Sequence, residues 1–201
     1  MRMGIFGGTF DPIHLAHLVV AEQSREQAQL DQVWFLPSYR PPHKQGQAVA
    51  PFEKRVEMLS LAIAGHPAFQ IETIEKDRPG LSFTADTLDT LQERNPGAEL
   101  NLIIGADCLP ELATWHDPLR IVERAILLVC ARPHFEMWSL EQLAQSLQTK
   151  PEKIRFRRID LPLIELASRD LRKRIQEGKS LKYLVPHAVE VYLREKKLYQ
   201  I

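Results

Sequence analysis

Two histidines three residues apart, His14 and His17, follow a Gly7-Gly8-Thr9 run close to the start of this 201-residue chain. At that spacing they share one face of a helix start. Imidazole donates to phosphate oxygens, more strongly when protonated. Glycine lets backbone N–H groups come close to a bulky anion, and a helix N-terminus favours negative charge. The chemistry this combination suits is phosphate binding. A tight turn with a capping histidine is the plainer alternative, and metal binding a rival that lacks the HExxH spacing and a third ligand nearby. The run is neither a GxxxxGK[ST] loop nor a GxGxxG fingerprint.

Other candidate groups are spread along the chain. His43 and Lys44, in a proline-rich loop, suit phosphate, although the loop's composition also fits a solvated turn. Asp107 follows an apolar run ended by Gly105, where a carboxylate can accept from ribose hydroxyls. Trp115 stands among polar residues and offers a ring for stacking. Ser82 or Thr84 suits a helix cap, or the helix's N–H groups suit a carboxylate. Arg169 can meet a phosphate bidentately, or belong to a solvated basic face with Lys173 and Arg174.

The elements that must position these groups alternate. Apolar runs predict strands at Met3–Phe6, Val33–Leu36, Phe69–Ile74, Leu100–Ile104, Ala125–Ala131 and Ile154–Ile159. Helical spacing predicts a first helix presenting Leu15, Leu18 and Val19, then Phe52–Ala64, Phe83–Leu91 with Ser82 as N-cap, Ser139–Leu147, Ser168–Gln176 and Ala188–Lys196. Gly7-Gly8 ends the first strand and hands over to the first helix. Strands alternating with helices, several of them apolar throughout, imply an α/β fold. It is a doubly wound, Rossmann-like parallel sheet with helices on both faces. One domain covers 1–201, with a C-terminal helical part (about 166–201) packed on it.

With 26 basic and 26 acidic residues the formal net charge is zero, which argues against a general nucleic-acid or membrane-surface binder. Cys108 and Cys130 form no CxxC pair, so a disulfide framework or structural zinc is not expected. No signal-peptide pattern and no membrane-length apolar run is present, so a cytoplasmic location is expected.

GGTFDPIHLAH resembles the signature of the (T/H)xGH nucleotidyltransferase superfamily at every position except Ala16, where glycine is usual. PPHK, SFTADTL, IGADCLPELATW and the closing YLVPHAVEVYL extend the resemblance to the nicotinate-nucleotide adenylyltransferases, in that family's order. The resemblance implies adenylyl transfer from ATP to nicotinate mononucleotide, giving deamido-NAD and pyrophosphate. Alternatives are another acceptor, nicotinamide mononucleotide or phosphopantetheine, or a nucleotide sensor without catalysis. It places His14 and His17 on the triphosphate, with Lys44 and Arg172 stabilising charge and Gly7, Gly8 and Thr9 adding neutral donors. Gly105 and Asp107 hold the adenosine ribose. Thr84 and Trp115 lie near the nicotinate ring, and His43 and Arg132 near the acceptor's phosphate. LASRDLR aligns with the family's C-terminal phosphate motif through Ser168 and Arg172, but Ala167 and Arg169 replace hydroxyl residues. Mg²⁺ is expected with ATP, carried by phosphates and water, without a protein-built metal site. A homo-oligomer is allowed.

Overall fold

A computed structural model describes residues 1–40, 49–162 and 164–200. Along the chain run β1 (Arg2–Gly8), α1 (Leu15–Ala28), β2 (Gln32–Pro37), α2 (Phe52–Ile63), β3 (Phe69–Ile71), α3 (Thr84–Arg94) and β4 (Glu99–Gly105). They continue with α4 (Pro118–Arg124), β5 (Ala125–Cys130), α5 (Leu140–Ser146), β6 (Phe156–Ile159), α6 (Ser168–Gln176) and α7 (His187–Glu195). The strands form one sheet in the order β3-β2-β1-β4-β5-β6, and every neighbouring pair is parallel. This is the doubly wound α/β sheet that the alternation predicts.

The strand period of two divides the core cleanly. Leu102, Ile104, Leu127 and Val129 face α3, α4 and α5, where they meet Leu88, Leu91, Ile121 and Leu143. Ile103, Leu128 and Cys130 face the opposite layer, with Ala21 of α1, Met58 and Leu59 of α2, Leu171 of α6 and Val189 of α7. The strand order reverses between β1 and β4, so their carboxyl ends open a crevice at the centre of the sheet.

Several expected boundaries move. Gly7 and Gly8 are the last two residues of β1, paired in register with Leu36 and Pro37, and the turn into α1 is residues 9–14 instead. Pro37 therefore closes β2 from within. Helix α1 buries the small residues Ala21, Ser24 and Ala28 and leaves Leu15, Leu18 and Val19 half-buried, because close packing on the sheet favours the smaller face. Ser82 is not a cap. Its hydroxyl accepts the Arg40 N–H (3.1 Å) and its own N–H donates to the Arg40 carbonyl (3.0 Å), so the loop after β2 claims it and Phe83 takes the cap position. β3 stops at Ile71, and Ile74–Lys76 forms a 3-10 turn. Helix α4 was not anticipated, although Asp117-Pro118 signals it. The Asp117 carboxylate accepts the Arg120 N–H and proline fills the first turn.

The 9–14 turn is tied down by a buried arginine. Arg55 of α2 is 2% exposed. It donates to the carbonyls of Ala50 (3.1 Å), Thr9 (2.8 Å) and Ser38 (2.9 Å), joining the loops after β1 and β2. Burial pushes its pKa down, while the nearby Asp11 carboxylate pulls it back up. Arg55→Ala strands three half-buried carbonyls and removes one of the two cations near the Asp11 carboxylate, leaving Arg172 at 3.6 Å. We expect a loss of about 3–5 kcal/mol, read by guanidinium unfolding. A loss below about 1 kcal/mol, the ordinary scale of a single hydrogen bond, would contradict this role.

Candidate functional site

His14 occupies the N-cap position of α1 and His17 stands one turn into it. Their rings stack, with centroids 3.6 Å apart and planes 23° from parallel. The His14 backbone N–H donates to His17 Nδ1 (3.3 Å). A nitrogen that accepts carries no proton, so neutral His17 holds its proton on Nε2. Phe10 meets His17 edge-on at 5.1 Å, and Phe6 lies 6.1 Å away. The pair is thus oriented by backbone and aromatic packing.

His14 is 4% exposed, and its Nδ1 is buried without a hydrogen-bond partner among the described residues. Burial, reinforced by the positive charge of Arg132, lowers its pKa from 6.5 to about 4. At neutral pH it is an uncharged donor. The protonated imidazole that would bind phosphate most strongly is therefore not available from His14.

Both histidines line a cavity of about 290 Å³ at the carboxyl edge of the sheet. Gly105 from β4, Cys130 from β5, Arg132, and Leu166, Ala167 and Arg169 at the start of α6 complete its wall. Ala16 lines it too, so its methyl projects where the signature usually has glycine. Arg169 is 84% exposed at the side chain, and its Nε lies 3.6 Å from Asp170. Arg132 Nε lies 3.3 Å from Asp107 Oδ1. A Cβ on Gly105 would sit 2.1 Å from that oxygen and 2.9 Å from Arg132 Nε, so this glycine makes room for the ion pair across the strand end. Among the described residues a Cβ on Gly7 would meet nothing within 4 Å beside the end of β1. Gly8 has a different reason, since a Cβ there would come within 2.9 Å of the Phe10 ring.

A model of the cytidylyltransferase-like family matches residues 5–184. A protein of Thermomicrobium roseum is 42% identical over 199 residues, spanning 99% of this chain and 92% of its own length. One of Thermus thermophilus is 42% identical over 200 residues, spanning 100% of both. Each carries the name "Probable nicotinate-nucleotide adenylyltransferase". The chain belongs to the nicotinate-nucleotide adenylyltransferase family. Plasmodium falciparum nicotinic acid mononucleotide adenylyltransferase complexed with NaAD matches the fold with a TM-score of 0.81 at 18% identity, over 98% of this chain and 97% of that one.

In this adenylyltransferase fold the remaining expected residues divide. His43 and Lys44 lie outside the described residues. Thr84 opens α3, and Trp115 follows the 3-10 turn Leu112–Thr114. Neither lines the histidine cavity. Trp115 is partly buried against the core beneath α3 and α4, so its polar sequence neighbours mislead about its packing. Beside them Phe83 and His116 bring their rings to 4.3 Å.

Ser168 and Arg172 face the 9–14 turn. Ser168 donates to the Pro12 carbonyl (2.9 Å), and Arg172 donates to the Asp11 carbonyl (2.7 Å) and approaches its carboxylate (3.6 Å). Neither lines the cavity, because Asp11 and Pro12 claim their donors. The first N–H of α1, on Leu15, donates to the Leu184 carbonyl (3.0 Å), and the His17 N–H turns back to the His14 carbonyl (3.0 Å). The helix start therefore spends amides on the protein that the sequence offered to a ligand. Asp11 and Arg55 were missed as site residues. For Asp11 the only signal was a charged residue inside an otherwise apolar and glycine-rich stretch; Arg55, between Lys54 and Glu57 on an amphipathic helix, gave none.

Keeping His14 uncharged favours the folded state fully above its ordinary pKa of 6.5, and that advantage is lost as pH falls toward about 4. The unfolded chain binds the proton in that window and the folded one does not, so stability declines with acidification, by at most about 3 kcal/mol. We expect the His14 imidazole resonance to titrate near 4 in NMR and His14→Gln to flatten this part of the stability profile. Titration near 6.5 contradicts the burial account. Gly105→Ala separates Asp107 from Arg132. A crystal structure of that variant with the pair intact at 3.3 Å, as in the parent, contradicts the reading of this glycine.

Proposed function

We propose that the chain transfers the adenylyl group of ATP to nicotinate mononucleotide, releasing pyrophosphate and forming deamido-NAD. The observation that carries this reading is the stacked His14–His17 pair sharing one cavity with Arg132 beside the reversal point of the sheet. Full-length relatives at 42% identity bear the matching name.

The acceptor's phosphate is ionised near neutral pH and needs no general base. One of its oxygens attacks the α-phosphorus in line, a P–O bond forms, and the bond to the β-phosphate oxygen breaks. Pyrophosphate leaves with the electron pair. The protein's contribution is alignment and charge stabilisation. His17 donates from Nε2 to triphosphate oxygens and His14 adds a neutral donor. The positive charge comes from Arg132, Arg169 and Lys44. Gly7, Gly8 and Thr9 border the phosphates with backbone. Arg172 and Ser168 support the site by holding the turn that bears the histidines.

Asp107 releases Arg132 to a substrate phosphate and turns its own carboxylate, with Gly105 beneath, to a ribose. The acceptor's ring lies toward Thr84 and Trp115, with His43 near its phosphate. One unit covers 1–201, its C-terminal part closing on the 9–14 turn.

Among the described residues no group of three or more His, Cys, Asp and Glu could hold a metal ion. These residues do not form a magnesium cage. Mg²⁺ arrives on the phosphates of ATP, and no step here is assigned to it. No helix among the described residues is long and apolar enough to cross a membrane. Cys108 and Cys130 are both unpaired, which suits a reducing cytoplasm.

Pyrophosphate release should require ATP and nicotinate mononucleotide together, and assays with nicotinamide mononucleotide and phosphopantetheine set the acceptor range. His17→Ala should lower turnover about a hundredfold or more, the usual loss for one transition-state donor, with circular dichroism unchanged. Turnover within threefold of the parent removes His17 from the mechanism.

A further inference from the structure

Tyr199 lies beyond α7, in the last residues of the chain, and no catalytic reading includes it. Its hydroxyl donates to Asp11 Oδ1 at 2.6 Å, across 188 positions of sequence. To reach there, the backbone after α7 adopts left-handed conformations at Lys197 (φ 50°) and Tyr199 itself (φ 63°). A bulky side chain at positive φ is rare and needs surroundings that hold it. Here the partly buried ring packs on the core cluster that includes Leu171 and Val189. Burial, the hydrogen bond and the negative charge of Asp11 all push the phenol's pKa up, so it stays a donor.

Asp11 is 2% exposed and stands three residues before His14. The same Oδ1 also accepts the Ala50 N–H (3.2 Å), and the main-chain oxygen accepts Arg172. Three separate segments therefore converge on this one side chain and its carbonyl: the end of the loop after β2, α6 and the stretch after α7. Of these, Tyr199 is a neutral donor with no part in the charge around phosphate.

We propose that Tyr199 is a positioning residue for adenylyl transfer, acting through Asp11 to hold the 9–14 turn so that His14 and His17 face the triphosphate. The kinetic part of this proposal rests on the function proposed above. Misplacement of reacting groups by a fraction of an ångström lowers the rate of the chemical step more than it weakens binding. The C-terminus then sets the rate without touching substrate.

Tyr199→Phe keeps the ring and removes only the hydroxyl. We expect kcat per folded molecule to fall about tenfold, with KM for ATP and for nicotinate mononucleotide within twofold. Hydrogen exchange in a peptide covering 9–15 should quicken. Asp11→Ala, which removes the acceptor, combined with Tyr199→Phe should be no slower per folded molecule than Asp11→Ala alone. Leu193→Ala, which loosens α7 in the core without touching the hydroxyl, should lower the melting temperature and leave kcat per folded molecule within twofold. A kcat for Tyr199→Phe within twofold of the parent, additive losses in the double variant, or unchanged exchange at 9–15 overturns the proposal. Should the parent protein release no pyrophosphate with either mononucleotide, the functional reading fails. The exchange measurement then decides the clamp alone, faster exchange supporting it and unchanged exchange refuting it.

Discussion

A carboxylate and a guanidinium, both 2% exposed, share the interior beneath one short turn. Asp11 sits in the turn, and Arg55 reaches up from α2 to the turn's Thr9 carbonyl. A buried charge is tolerable there only with opposite charge nearby, which Arg172 also supplies to Asp11 at 3.6 Å, and with a full set of hydrogen bonds. The chain meets this demand by bringing Thr9, Ser38, Ala50, Arg172 and Tyr199 to the same place. The turn's geometry is consequently over-determined, and the two histidines that end it inherit that rigidity. The catalytic proposal depends on this constraint, because the uncharged His14 and its stacked partner do little for a phosphate unless their donors are aimed beforehand.

The sheet supplies the place and the turn supplies the aim. Reversal of strand order between β1 and β4 opens the crevice. The strand ends bordering it are glycine for different reasons. At Gly105 the absent Cβ admits the Asp107–Arg132 pair, and at Gly8 it admits the Phe10 ring that backs His17. Charge is divided accordingly. Buried His14 stays neutral beside Arg132, whereas the more exposed Arg169 stands at the cavity wall. Arg132 held by Asp107 keeps a cation near the site without leaving it unpaired.

Much of this was legible in the residues. Apolar runs such as Leu100–Ile104 read as buried parallel strands because both faces of the sheet are covered, and Ser168–Gln176 read as a helix to its boundaries. The placing of the two histidines together at the helix start followed from their spacing. What stayed hidden was long-range pairing. Nothing local to Tyr199 announces a partner at Asp11, and Arg55 looks like one more charge on an amphipathic helix. Ser82 has the composition of a cap, yet Arg40 competes for it successfully. Trp115 has polar neighbours in sequence and apolar ones in space. Gly7-Gly8 looked like a turn because glycine after a short apolar run usually is one. Pairing with Leu36 and Pro37 keeps both in the strand.

The central claim is that the 9–14 turn is already arranged for a triphosphate before one binds. A crystal structure with a non-hydrolysable ATP analogue tests it most directly. The account predicts phosphate oxygens within hydrogen-bond distance of His17 Nε2, the histidine rings still stacked, and Asp11 still bonded to Ala50 and Tyr199. A triphosphate bound elsewhere, or a turn that rebuilds around it with the Asp11 contacts broken, contradicts the account.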